Sequence, residues 1–111
     1  THAFQHDSEV MVEEFISGRE ITVGVLGNDN PAALPLVEII PGAQYDFFDY
    51  EAKYKAGATR EVCPAEFSDT IRERAQGYAL TAHRALRLRG CSRTDMIVRE
   101  EDIFILETNT I

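Results

Sequence analysis

Apolar and polar residues alternate with the two-residue period of half-buried strands along most of this chain, and switch once to a helical period. Residues 1–9 carry neither period and read as an approach segment. Residues 10–16 and 19–26 alternate on either side of Ser17-Gly18, which predicts a hairpin. In that hairpin Phe15 opposes Glu20 and Glu13 opposes Thr22. Glu13, Phe15 and Glu20 then share one face, and Val10, Val12, Val23 and Val25 the other. An aromatic among acids reads as the wall of a site or, more simply, as a half-exposed hairpin face. Gly27-Asn28-Asp29-Asn30-Pro31 is a turn cluster. Residues 33–40 read as a third strand, closed by Pro41-Gly42. Pro35 has no N–H for a ladder, so it belongs at a strand end or on an edge.

Residues 44–58 are aromatic and charged without a clean period, and read as a short strand followed by an ordered surface loop. Loops of this size in compact domains are often functional. Residues 59–65 form a short extended stretch ending at Cys63-Pro64-Ala65. Residues 68–89 are the one clear helix. Thr70 with Glu73 fits a capping box, and Ser68 or Asp69 could cap instead. Ile71, Ala75, Tyr78, Ala82 and Leu86 follow helical spacing. Ala79, Ala82 and Ala85 suggest close packing onto a sheet, and Gly90 supplies the stop. Arg84, Arg87 and Arg89 suit the negative end of the helix dipole. The predicted fold is α+β, a mostly antiparallel sheet with one long helix packed on it.

The C-terminal stretch carries the chemistry. Two alternating runs flank Glu100-Glu101-Asp102, a hairpin pattern. With those three residues as the loop, Met96/Leu106 and Val98/Phe104 face the core. The other face carries Ile97/Ile105, then Asp95 opposite Glu107, then Arg93 opposite Asn109. Like charges directly opposite across strands destabilise a sheet. Two carboxylates with an amide beside them and no Lys between them ask for a cation. Their oxygens are hard ligands, and Mg²⁺ typically takes one or two carboxylates together with substrate phosphates. The plainer reading is a solvated polar face with a chance acidic pair.

Composition narrows the partners. The chain has 111 residues, enough for one modest domain, and a net charge of −8. That balance argues against a nucleic-acid or anionic-membrane surface, both of which need a basic face. A nucleotide needs only a few local cations. Cys63 and Cys91 fit no Cys-x-x-Cys spacing and, with scattered histidines, make no zinc pattern. They read as two buried, unbridged thiols of a cytoplasmic protein. No apolar run is long enough for a transmembrane helix, and no signal peptide is visible. Thr1 in place of an initiator Met suggests a processed chain or a piece of a longer one.

Five blocks then resemble one family. They are residues 12–23 (Val-Glu-Glu-Phe-Ile-Ser-Gly-Arg-Glu-Ile-Thr-Val), Phe48-Asp49-Tyr50-Glu51-Ala52-Lys53-Tyr54, Cys63-Pro64-Ala65, Gly90-Cys91-Ser92-Arg93-Thr94-Asp95 and Leu106-Glu107-Thr108-Asn109-Thr110. In this order and spacing they resemble the D-alanine–D-alanine ligases of the ATP-grasp superfamily, over nearly the whole chain. Each block is weak singly, and the five together are specific. The resemblance implies residues 1–111 as a C-terminal part of an ATP-grasp domain. The N-terminal domain, the central subdomain and the extreme C-terminus, with its proline-glycine, would lie outside it.

The resemblance also implies roles. Asp95, Glu107 and Asn109 would bind two Mg²⁺ ions (or Mn²⁺) on the ATP phosphates. Arg93 would stabilise the tetrahedral transition state. Glu13, with the backbone around Phe15 and Ile16, would hold adenine. Glu20 would reach the ribose and pair with Lys53, and Tyr54 would sit on a loop covering the second amino-acid site. The implied enzyme is a cytoplasmic, homodimeric ligase that uses ATP to join two D-alanines for peptidoglycan, through an acyl phosphate. The isolated piece would be inactive without its phosphate-binding lysines. The rivals are a catalytically silent nucleotide-binding or interaction module of the same fold, and another carboxylate–amine ligase such as a D-alanine–D-lactate ligase.

Overall fold

The computed structural model describes residues 2–42 and 59–110. The reading of residues 44–58 as strand and loop, with Lys53 and Tyr54, lies outside the described residues. After a single 3-10 turn at Ala3–Gln5, the elements are β1 (Arg19–Leu26), β2 (Ala32–Ala33), β3 (Val37–Pro41), β4 (Thr59–Val62), α1 (Asp69–Ala85), β5 (Cys91–Arg99) and β6 (Asp102–Thr110). They form one sheet in the order β4-β3-β1-β5-β6, with β2 also on β1. Each of these pairings is antiparallel. The predicted α+β architecture, one helix on an antiparallel sheet, is the one observed.

β1 is the centre of the molecule because its alternation serves two faces. Ile21, Val23 and Val25 point to the helix and are fully buried. Across the ladder they meet Met96, Thr94 and Ser92 of β5. Leu36, Ile71, Ala75, Ala79 and Val98 complete this core. Of the alanines expected against the sheet, Ala79 is buried, Ala82 is half-buried and Ala85 is exposed, and Ala75 takes the second inward place. Truncating a buried side chain such as Met96 to Ala costs about 2–5 kcal/mol in sites of this kind. Glu20, Thr22 and Gly24 alternate to the opposite face, which carries the candidate chemistry.

The helix starts where the sequence suggested, with the alternative Ser68 cap in use and not the Thr70–Glu73 capping box. Ser68 is the N-cap and its side chain accepts a hydrogen bond from the Ile71 N–H at 3.2 Å. It ends earlier than residue 89. Arg87 takes a left-handed φ of 56°, and the Leu88 N–H bonds back to the His83 carbonyl at 2.9 Å. The chain therefore turns before Gly90, and Leu86, placed in the core by its spacing, is exposed. The inward stripe is Ile71, Ala75, Ala79 and His83.

Three further expectations are corrected. Residues 10–16 are not a strand, and Met11, Val12 and Phe15 are exposed. The reason is occupancy: β3 and β2 take one edge of β1 and β5 takes the other, so no ladder remains for a preceding hairpin arm. The third strand is split. Pro35 falls in the gap between β2 and β3, where a missing N–H costs no ladder bond. Neither cysteine is buried, although both are free as expected.

The β5–β6 hairpin is half as drawn. Asp95 faces Glu107, Thr94 faces Thr108 and Arg93 faces Asn109, the predicted register. Towards the tip the pairs are Met96–Ile105, Ile97–Phe104 and Val98–Ile103, closed by Arg99 and Asp102 around a two-residue turn. Glu100 in that turn has a φ of 57°. A β-bulge absorbs the difference, with Leu106 as the extra residue of β6. Beyond the bulge every side chain of β6 changes face. Ile103, and not Phe104, packs against the core, and Leu106 is exposed.

Candidate active site

The functional face is built by alternation on three adjacent strands. The ladder sets Thr22 of β1 beside Asp95 of β5, and Asp95 beside Glu107 of β6. One row outward lie Gly24, Arg93 and Asn109. One row in the other direction lie Ile39, Glu20, Ile97 and Phe104. A polar zone and a more apolar zone thus sit end to end on one sheet face.

In the polar zone, Asp95 is 7% exposed. A buried carboxylate is costly unless it is hydrogen-bonded or paired. The Thr22 hydroxyl donates to its Oδ1 at 2.9 Å, and the Arg93 guanidinium lies 3.4 Å from the same oxygen. A protein cation, Arg93, thus reaches one member of the carboxylate pair. Arg93 reaches Asp95 along its own strand, because residues two apart share a face. Asn109 does the same on β6, where its amide donates to Glu107 Oε1 at 3.3 Å. Cross-strand repulsion between the carboxylates is offset by a contact within each strand. Thr94 and Thr108 stand between these rows in the ladder but on the helix face, with their hydroxyls 3.0 Å apart.

The donor set of Asp95, Glu107 and Asn109 is oxygen only. It suits a hard divalent cation that keeps part of its coordination for water and phosphate. Among the described residues there is no group of three His, Cys, Asp or Glu side chains arranged to hold a metal. Two carboxylates and an amide are enough for a cation shared with a nucleotide, and too few for a closed protein cage.

The apolar zone opens into a cavity of about 550 Å³ lined by Glu13, Phe15, Ile16, Glu20, Ile97 and Leu106. That volume is within the usual range for small-molecule sites. The segment from Glu13 to Gly18 forms one wall. Its approach is close: a Cβ on Gly18 would lie 2.6 Å from the Val98 carbonyl oxygen and 2.7 Å from Ile97 Cγ2. The predicted acids and aromatic therefore do line one pocket, with the segment as a strap and not as a strand. The wall residues Ile97 and Leu106 were missed as pocket residues. Leu106 is there because of the bulge, a feature that local alternation does not signal.

A larger cavity of about 930 Å³ lies between the start of α1 and the hairpin tip, lined by Arg19, Phe67, Arg74 and Glu101 among others. Its cations are committed. Arg19 makes a bidentate pair with Glu38 at 2.7 and 2.8 Å and lies over the Phe67 ring, 3.8 Å from its centroid. Arg74 donates to the Glu101 carbonyl at 2.6 Å. The carboxylates and the amide are elsewhere, so the smaller cavity is the better nucleotide candidate.

Comparison with known proteins bears on the family and the fold. The family model described as "D-ala D-ala ligase C-terminus" matches residues 1–111. The D-alanine–D-alanine ligase of Syntrophobacter fumaroxidans is 62% identical over 108 residues, which cover 97% of this chain and 35% of that protein. The structure of the VanG D-Ala:D-Ser ligase from Enterococcus faecalis superposes with a TM-score of 0.78 at 38% identity, covering 97% of this chain and 31% of that one. The Bacillus anthracis D-alanine–D-alanine ligase in complex with ATP superposes with a TM-score of 0.67 at 28% identity, covering 88% and 28%. The chain spans about a third of the length of the relatives it matches. A full-length match to the family model, on a fold shared with solved ligases, means that this chain belongs to the D-alanine–D-alanine ligase family and corresponds to its C-terminal part.

Proposed function

We propose that this chain is the ATP- and Mg²⁺-binding part of a D-alanine–D-alanine ligase, within an ATP-grasp domain completed by an N-terminal domain and a central subdomain of a longer polypeptide. The observation that carries the reading is the pairing of Asp95 with Glu107, with Asn109 on the same face, at the end of a pocket lined by Glu13, Phe15, Ile16 and Glu20. The solved relative described as complexed with ATP supports the nucleotide.

In this reading adenine lies against Phe15 and Ile16 with Glu13 accepting from its amine, Glu20 reaches the ribose, and the phosphates run towards Asp95, Glu107 and Asn109. Bound Mg²⁺ would neutralise charge on the transferring phosphoryl group. The γ-phosphoryl group passes to the carboxylate of one D-alanine, releasing ADP. The amine of the second D-alanine then attacks the acyl carbon and loses a proton, and phosphate leaves. Arg93 is suited to the negative charge that develops on the acyl oxygen. Lys53 and Tyr54 are assigned to ATP and to the cover over the second amino acid, where a closed loop would keep water from the acyl phosphate. The product is a dipeptide for peptidoglycan, made by a cytoplasmic homodimer. Among the described residues no helix is long and apolar enough to cross a membrane. The second substrate is assigned to D-alanine from the 62% identity to the D-alanine–D-alanine ligase of Syntrophobacter fumaroxidans.

The test is made on the full-length protein. It should release ADP and phosphate with D-alanine and Mg²⁺ and form D-alanyl-D-alanine. Glu107→Gln should remove most of that activity while the far-ultraviolet spectrum is unchanged, since it removes one charge from a repelling pair. Wild-type turnover of that variant at limiting Mg²⁺ would refute the metal reading.

A further inference from the structure

Thr22 lies outside the expected ligands, yet it makes the shorter of the two contacts that Asp95 receives from Thr22 and Arg93. It is 8% exposed, in the middle of the central strand, and directly opposite Asp95 in the ladder. Its hydroxyl donates at 2.9 Å to Oδ1, the oxygen that the Arg93 Nε also approaches at 3.4 Å. A carboxylate turns easily about its Cβ–Cγ bond. A hydroxyl donor from β1 and a guanidinium from β5 approach the same oxygen and restrain that turn. The hydroxyl is the more rigid of the two, since a β-branched side chain has restricted χ1 and Arg93 is half-exposed on a long stem.

We propose that Thr22 is a positioning residue for the divalent-cation site, fixing the rotation of the Asp95 carboxylate through its hydroxyl. The proposal rests on the metal reading of Asp95. A hydroxyl on a strand next to a carboxylate could serve stability alone. In this place it acts on a carboxylate that the metal reading requires to hold one orientation. Hydrogen-bond partners behind metal ligands are commonly worth 10- to 100-fold in metal affinity.

The experiment is Mn²⁺ binding to the full-length protein with a non-hydrolysable ATP analogue, followed by electron paramagnetic resonance. Thr22→Val keeps the volume and the strand preference and removes the hydroxyl. It should raise the Mn²⁺ Kd about tenfold or more with a melting temperature close to wild type. Thr22→Ser should bind within about threefold of wild type. If Thr22→Val does not fold, Thr22→Ala carries the same expectation. A Thr22→Val protein that binds Mn²⁺ like wild type overturns the proposal, as does a Thr22→Ser protein as weak as Thr22→Val, which would mean packing and not the hydroxyl. Asp95→Asn separates the two levels. If it keeps wild-type affinity the metal reading fails and the proposal falls with it. If Asp95→Asn loses the ion and Thr22→Val does not, only the role of Thr22 is refuted.

Discussion

Nδ1 of His83 lies 2.7 Å from the hydroxyl of Ser92, inside the interface between helix and sheet. On its far side Nε2 lies 3.0 Å from the Gly27 carbonyl oxygen. A carbonyl can only accept, so Nε2 carries a hydrogen, and in the neutral ring Ser92 donates to Nδ1. The imidazole, 1% exposed, ties the end of α1 to β5 and to the turn after β1. A backbone bond from Gly27 N–H to the Gly90 carbonyl and a bond from Gly90 N–H to the Asn28 side-chain Oδ1 close the same corner.

Replacing His83 with Ala should therefore cost stability and not chemistry. It leaves the buried Ser92 hydroxyl and the part-buried Gly27 carbonyl without their partner and opens space beside Ala79. The expected loss is about 2–4 kcal/mol, from the cavity and the unmade hydrogen bonds together. Urea unfolding of the full-length protein measures it. The Mg²⁺ dependence of the surviving folded fraction should be unchanged, because the residue is on the helix side of the sheet.

The bidentate pair of Arg19 and Glu38 predicts a pH dependence. Hydrogen bonds from the Arg19 guanidinium hold the Glu38 carboxyl below its ordinary value, against the opposing effect of burial. A lowered folded value means that the pair's contribution is complete above about pH 4.3, the ordinary glutamate value, and is lost as pH falls through the lower folded value. Glu38→Gln should reduce stability near pH 7 and flatten this acid limb. Unfolding midpoints from pH 7 to pH 3 check both signs.

Gly18 is the point where the strap meets β5. Gly18→Ala puts a methyl into the Val98 carbonyl and Ile97 Cγ2, so strap or strand must shift. Overpacking of this kind costs about 1–3 kcal/mol. The strap carries Glu13, Phe15 and Ile16 into the pocket, so nucleotide affinity should fall in the same variant. Titration with an ATP analogue, beside a melting curve, reads both.

Glu20 stands between Ile39 and Ile97 on the floor of that pocket. Glu20→Gln in the full-length protein should weaken ATP binding more than it alters the choice of second amino acid. Unchanged ATP affinity with an altered product ratio would reverse the assignment.

Much of this was readable as pattern. The alternation of β1 carries both the core triad Ile21, Val23, Val25 and the site face Glu20, Thr22, and a period of two assigns faces without knowledge of neighbours. The Asp95–Glu107 and Arg93–Asn109 pairs were readable from a hairpin closing near Glu100-Glu101-Asp102, because a two-residue turn with one bulged residue gives the same outer register as a three-residue loop. Ser68 was among the readable caps, since an N-cap is a local hydrogen bond. The family was readable from five spaced blocks.

What local pattern could not supply depends on distant chain segments. Residues 10–16 have a strand-like period, and they stay unpaired because β3, β2 and β5 occupy both edges of β1. The tip of the last hairpin is a two-residue turn with a bulge at Leu106, and not a three-residue loop. Both solutions give the same outer register, so the charged pairs alone cannot tell them apart. Only packing against the helix chooses Ile103 over Phe104 for the core and turns Leu106 to the pocket. His83 follows helical spacing from Ala79, yet a histidine in a core stripe is stable only when Ser92 and Gly27 arrive from elsewhere to satisfy it. The donors on Asp95 come from Thr22, far away in sequence, and from Arg93 on its own strand. Alternation determines which face a side chain takes; the meeting of segments far apart in the chain determines what it touches there.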